Sequence, residues 1–192
     1  DEDNAYTKEE ESVVVGSNVA LAPLTWEFSE LITEDNGNVT HFNITSVGED
    51  YMVQFRNHFD AEDMSIKFDI VMDNYTFVSE SEDALLVFGF HIVEGQQKMT
   101  QNQHQVKFGN KGYFESASEA NTANETIPSG MSSGTDGANT MVYVSFPRFE
   151  GLLVHDPTIG IESSTIAGYS NLWLGIFPVA GLLFVIMKKR SQ

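Results

Sequence analysis

The feature that most constrains this chain is a run of 22 residues without a charge, Ile166 to Met187, followed at once by Lys188, Lys189 and Arg190. At a helical rise of 1.5 Å per residue the run would be about 33 Å long, close to the thickness of a bilayer's hydrocarbon core. Tyr169 and Trp173 stand at its upstream edge, where amphipathic rings prefer the headgroup level, and a basic triplet marks the cytoplasmic side. A buried core helix is the rival reading, but such helices are rarely apolar on every face and closed by three cations. The expectation is one transmembrane helix over 166–187, with 188–192 as a short basic cytoplasmic tail. The remainder then lies outside, which implies a secretory signal peptide removed before Asp1.

Upstream of the run, roughly 160 residues are enough for one domain with a real core. The chain has 28 acidic against 10 basic residues, a net charge of −18, and three of those cations lie in the terminal triplet. So acidic a domain repels nucleic acid and anionic lipid and attracts cations. Adaptation to high salt and ion binding both account for such acidity, and composition does not separate them. Cysteine is absent, whereas secreted eukaryotic domains of this size often carry disulfides. That tilts the source towards a prokaryote and leaves stability to the core alone.

Residues 1–11 are polar and acidic and read as a flexible start. From there, apolar side chains recur with a period of two, the mark of half-buried strands. Leu24, Trp26 and Phe28 share one face; Phe42 and Ile44 oppose His41 and Asn43; Tyr51, Val53 and Phe55 alternate with Met52, Gln54 and Arg56. Met64, Ile66, Phe68, Ile70 and Met72 line one face of the clearest strand, against Ser65, Lys67 and Asp69. Asp35-Asn36-Gly37 and Gly109-Asn110 read as hairpin turns. Tyr75 to Val78 is a short strand or a loop tucking its aromatics inward. Ala84 to Val93 is apolar on both faces, as in a central strand covered on both sides, with a buried helix as its rival. Residues 115–139 turn to Ser, Ala, Asn, Thr and Gly and read as a long polar loop. Strand character returns over Met141–Phe146 and Gly151–Val154. The fold expected is all-β: an antiparallel β-sandwich over 12–162 followed by one C-terminal transmembrane α-helix, with a barrel as the runner-up.

Four glycosylation sequons stand at Asn38, Asn43, Asn74 and Asn124. Asn38 and Asn74 fall in turns, Asn124 in the polar stretch, and Asn43 points away from Phe42 and Ile44, so each suits a surface glycan. Asp60, Glu62 and Asp63 cluster three carboxylates in a turn that could supply oxygens to calcium, though solvated acidic turns are the plainer account. Glu80, Glu82 and Asp83 form a second acidic cluster of the same kind. The histidines, His41, His58, His91, His104 and His155, show neither His-x-His nor His-x-x-x-His spacing, so spacing alone gathers no zinc or copper site. Gly-x-Ser-x-Gly, a phosphate-cradling glycine loop and His-Glu-x-x-His do not occur. Ser129 to Gly134 reads as glycine-serine linker, and Glu94 and Glu150 pair only if the fold brings them together. His155 to Gly160 reads as a turn, with a titrating His155–Asp156 pair as the sharper alternative for its His155-Asp156-Pro157 start. No catalytic residue is expected, and no cofactor other than calcium.

Gly168-Tyr169, the apolar run and Lys188-Lys189-Arg190 together resemble the C-terminal anchors of archaeal-type single-pass surface proteins. Ala167 stands where several such anchors carry proline. The resemblance covers about 25 residues and implies a glycosylated envelope protein, part of a surface layer or of a membrane complex. Expected partners are the lipid bilayer, other envelope proteins or membrane subunits, and a further copy of the chain. The functional expectation is a cell-surface protein acting by binding or as envelope structure, and the alternative is an extracytoplasmic accessory subunit of a larger membrane complex. Gly168, Gly175, Ala180 and Gly181 are small enough for close helix contact, and Pro178 for a kink that neighbours accommodate.

Overall fold

The computed structural model describes residues 5, 12–13, 19–20, 24–34, 37, 39–47, 51–60, 65–92, 99–108, 112–136, 139–161 and 183–189. Among them are eighteen strands and no helix, so the described part of the chain is all-β. In chain order, β1 (Ser12–Val13) and β2 (Val19–Ala20) precede β3 (Trp26–Phe28) and β4 (Ile32–Glu34). Three long strands follow, β5 (Val39–Val47), β6 (Met52–Asp60) and β7 (Ser65–Asp73), and then β8 (Leu85–Ile92). Next come β9 (Met99–Gln101), β10 (Gln105–Phe108), β11 (Gly112–Glu115), β12 (Glu119–Thr122) and β13 (Thr126–Pro128). The remainder are β14 (Gly130–Asp136), β15 (Asn139–Phe146), β16 (Leu153–His155), β17 (Thr158–Ile161) and β18 (Leu183–Lys189).

The strands form two sheets, and their neighbours pair antiparallel. The smaller runs β1-β18-β8-β15-β14, with β2 also on β18. In the larger, β5, β6 and β7 are consecutive neighbours, with β3 and β4 on the outer edge of β5. The other edge of β7 takes β16 along one half and β17 along the other, pairing Leu153 with Met72 and Ile159 with Ile66. Between them Asp156-Pro157 interrupts the strand, and the Phe68 amide donates to Pro157 O at 3.1 Å. Proline has no amide hydrogen to give a next strand, and the sheet forks there. One arm continues β16-β12-β13, the other β17-β11-β10-β9. The expectation that His155 to Gly160 form a turn is corrected: Thr158 onward is strand.

One continuous core joins the sheets. Val53, Phe68, Ile70 and Met72 from the larger pack with Leu86, Phe88, Val142, Val144 and Phe146 from the smaller. Phe68 meets Phe90 across the interface at 5.6 Å between ring centroids, and both meet Phe114. Burying each such ring is worth about 1.5–3 kcal/mol relative to exposure. The β7 alternation holds: Phe68, Ile70 and Met72 are buried while Lys67 is exposed. β8 is buried on both faces, Leu86 and Phe88 in the main core, Leu85 and Val87 in a second cluster with Met141 and Tyr143. Tyr75 and Phe77 settle as an inward-tucked loop. Phe28, expected to be buried with Trp26, is 69% exposed, because β3 lies beside the outer edge of β5, far from the smaller sheet.

Residues 115–139 are not a long polar loop. They carry β12, β13 and all of β14, and Gly130 to Gly134 is strand rather than linker along β15. Pairing on β16 and β15, with Ala120, Ile127 and Met131 buried, outweighs weak strand propensity. Of the helix expected over 166–187, only Leu183–Met187 is described, and its backbone runs as strand beside β8. The other residues of that segment lie outside the described residues. No helix among the described residues is long and apolar enough to cross a membrane.

Candidate functional site: a polar cleft at the fork of the larger sheet

At the fork, a cleft of about 440 Å³ opens beside β7. Lys67 and Asp69 come from β7, and Val154, His155 and Asp156 from β16 and the break after it. Ala117 and Ser118 link the two arms, and Glu119, Asn121 and Thr126 come from β12 and β13. The link is held rigidly: the Ser116 amide donates to His104 O and the Ser129 amide to Ser118 O, each at 2.9 Å.

Beneath the cleft His155, 1% exposed, fills the crotch of the fork, edge-on to Phe146 at 4.9 Å. Its Nδ1 lies 3.2 Å from Glu119 O and its Nε2 2.7 Å from Ser116 Oγ. A carbonyl only accepts, so Nδ1 carries the hydrogen and Nε2 accepts from the serine hydroxyl. Burial pushes the imidazole down to about 4, against weaker upward pulls from the Glu119 carbonyl and Asp156. The tautomer is the one in which a histidine draws a proton from a hydroxyl. Yet Ser116 is 3% exposed, so no substrate reaches Oγ, and the pair satisfies buried polar atoms.

On the open side, Lys67 Nζ and Asp156 Oδ2 form an ion pair at 2.7 Å, half-exposed at both ends. The Asp156 hydrogen bond raises Lys67, with burial opposing it. Asp69 is also raised, first by burial and then by the charge and hydrogen bond of Asp156, with Lys67 and Arg56 pulling the other way. These two carboxylates and one lysine thus line the cleft together. Such a wall offers paired acceptors, one ammonium, an amide and hydroxyls. Among the described residues, no three His, Cys, Asp or Glu are gathered to hold a metal ion.

The residues singled out from sequence are scattered. Asn43 lies mid-strand in β5, half-buried, opposite Arg56. Asn74 is exposed in the turn after β7 with φ of 58°, and Asn124 is exposed in the β12–β13 turn. Asn38 lies outside the described residues. Asp60 ends β6 opposite Ser65, while Glu62 and Asp63 lie outside the described residues. So do Tyr169, Trp173 and Arg190; Lys188 and Lys189 end β18. Glu80, Glu82 and Asp83 are solvated, in a loop pinned by Arg148, whose Nη1 donates to Ser79 O at 2.8 Å. Of the cleft, only His155-Asp156 was singled out from sequence. Lys67 and Asp69 were legible as the polar face of β7, and Ser116 left no signal.

No protein-family model, no curated protein and no solved structure matches the chain.

Proposed function

We propose that this chain is a membrane-anchored, glycosylated cell-surface protein of archaeal envelope type, whose antiparallel β-sandwich ectodomain acts by binding and not by catalysis. The observation that carries the reading is the charge-free run Ile166–Met187 with its Lys188-Lys189-Arg190 stop. Its last residues have a competing place beside β8. A strand there depends on β8 for its hydrogen bonds, whereas a helix in lipid satisfies its own. The strand accommodates seven residues; a bilayer accommodates the whole run, which favours the helix in the cell. Alkaline carbonate extraction of native membranes, with protease added to intact cells, tests this. The chain should stay in the pellet and its acidic part should be cleaved from outside. Release into the supernatant overturns the reading.

The cleft supports binding as the mode of action. Asp69 is raised above its ordinary value, first by burial and then by Asp156, and perturbed carboxylates cluster at ligand-facing sites. Glycans at Asn74 and Asn124 fit their exposed turns, and calcium through Asp60, Glu62 and Asp63 is the cofactor this reading admits.

A second reading, an accessory subunit of a larger membrane complex, is favoured by one observation. Phe28, Leu31 and Ile32 are 69%, 67% and 58% exposed around the β3–β4 connection, an apolar patch of the sort that subunit contacts cover. Extraction in mild detergent should then bring polytopic chains down in fixed ratio.

A further inference from the structure

The smaller sheet gives the C-terminal residues a place that a bilayer also claims. There β18 lies between β8 on one side and β1 and β2 on the other. Along its inner edge, Leu183 to Lys188 pair with Phe90 to Leu85. Along its outer edge, Lys188 stands opposite Val13 and Val185 opposite Val19. All three pairings are antiparallel, so β1 and β2 run parallel to β8, one strand farther out. β8 itself is central to the sheet: β15 holds its other edge, and Leu85, Leu86, Val87 and Phe88 are each 5% exposed or less. If β18 left with nothing in its place, the amides and carbonyls along that edge of β8 would lose their partners beside a packed core.

We propose that β1 and β2 are the replacement for β18: when the bilayer takes the apolar run, Ser12 to Ala20 moves one strand inward and pairs with β8. This rests on the membrane reading above, and adds to it a chain with two alternative closures of one sheet. Strands in a sheet lie about 4.8 Å apart, so the incoming segment has only that distance to cover. It belongs to the same chain, which gives it an effective concentration that a strand from another protein lacks. Val13 and Val19 are β-branched, as a place against an apolar strand favours. A parallel ladder is only slightly less stable per residue than an antiparallel one. The replacement keeps β8 paired in both states. Before insertion the sheet holds the end of the apolar run as a paired strand; afterwards no open edge on β8 is left to capture other chains.

The chain has no cysteine of its own, so introduced pairs report the neighbour of β8 without background. Full-length Leu85→Cys/Lys188→Cys and Leu85→Cys/Val13→Cys are oxidised mildly, once free of lipid and once after incorporation into lipid nanodiscs, with co-elution with the discs measuring insertion. Free of lipid, the Leu85/Lys188 pair should form its disulfide. The Leu85/Val13 pair should not, because two strand spacings of about 10 Å exceed a disulfide's reach. In nanodiscs the outcome should reverse, with loss of the first disulfide and gain of the second. Hydrogen exchange of the wild-type chain gives the same answer without substitution: the amides of Leu85 to Phe90 and of Ser12 to Ala20 should stay protected after insertion. If the chain inserts but keeps the Leu85/Lys188 disulfide, never forms the Leu85/Val13 disulfide, or opens β8 to exchange, the replacement is overturned and the anchor stands. If the chain never joins the discs, the anchor falls and the replacement falls with it.

Discussion

At the scale of single residues, His155 couples folding to pH. Its neutral form is the buried one, and its folded value of about 4 lies below the ordinary 6.5. A base depressed in this way binds its proton more readily in the unfolded chain. Its contribution to stability is therefore complete above about pH 6.5 and is lost as pH falls towards 4. The loss amounts to about 3 kcal/mol across that window, and below it both states carry the proton. Chemical denaturation at several pH values should show a steep decline that His155→Gln flattens by up to one proton; equal slopes would remove His155 from the account. Ser46 makes the opposite point. Its Oγ is buried, and it has no hydrogen-bond partner among the described residues. Ser46→Ala removes a desolvated hydroxyl and should stabilise the protein by about 1 kcal/mol, read as a higher denaturant midpoint with unchanged slope.

At the scale of elements, neighbouring strands within each sheet are fitted together through glycine. Tyr113 of β11 lies across Gly160 of β17, its cross-strand partner, and a Cβ at Gly160 would collide with the Tyr113 ring. Gly89 of β8 lies in the same relation to Tyr143 of β15, though with room for ordinary contact at 3.6 Å. Gly160→Val should therefore cost about 1–3 kcal/mol by overpacking, measured by thermal unfolding. Adding Tyr113→Ala should recover part of that cost, a non-additivity that two independent sites would not show. The same arm of the sheet depends on Asp156-Pro157, where a missing amide hydrogen starts the fork. That fork makes the cleft, so a local backbone property becomes the position of a candidate site.

At the scale of the whole molecule, net charge dominates. With −18 on 192 residues, self-repulsion opposes the compact state, and salt screens it over about a Debye length. Raising sodium chloride from about 0.05 to 0.5 M, which shortens that length severalfold, should raise the melting temperature. A melting temperature that does not move would show the acidic groups already compensated within the fold. The described ion pair, Lys67–Asp156, is half-exposed and of the kind worth about 1 kcal/mol or less, so such pairs do not offset the charge.

The strands were legible in the sequence wherever one face meets the core and the other meets solvent: the alternation in β5, β6 and β7, and the doubly apolar run of β8, follow from side chains pointing to opposite faces of a strand. The β4–β5 hairpin was legible for a related reason, since Gly37 takes a φ of 99° that glycine accepts without steric cost. What alternation cannot carry is pairing. The strands within 119–136 formed because β15, next along the chain, and β16, farther along it, offered hydrogen-bonding edges. Phe28 stayed exposed because the sheet places its strand beyond the smaller sheet's reach. The cleft joins residues from Lys67 to Asp156, and His41 meets His58 only through register. Local chemistry determined which stretches would be strands and how acidic the surface would be; only the tertiary structure decided which side chains meet, because a contact depends on the path of the backbone between its two partners.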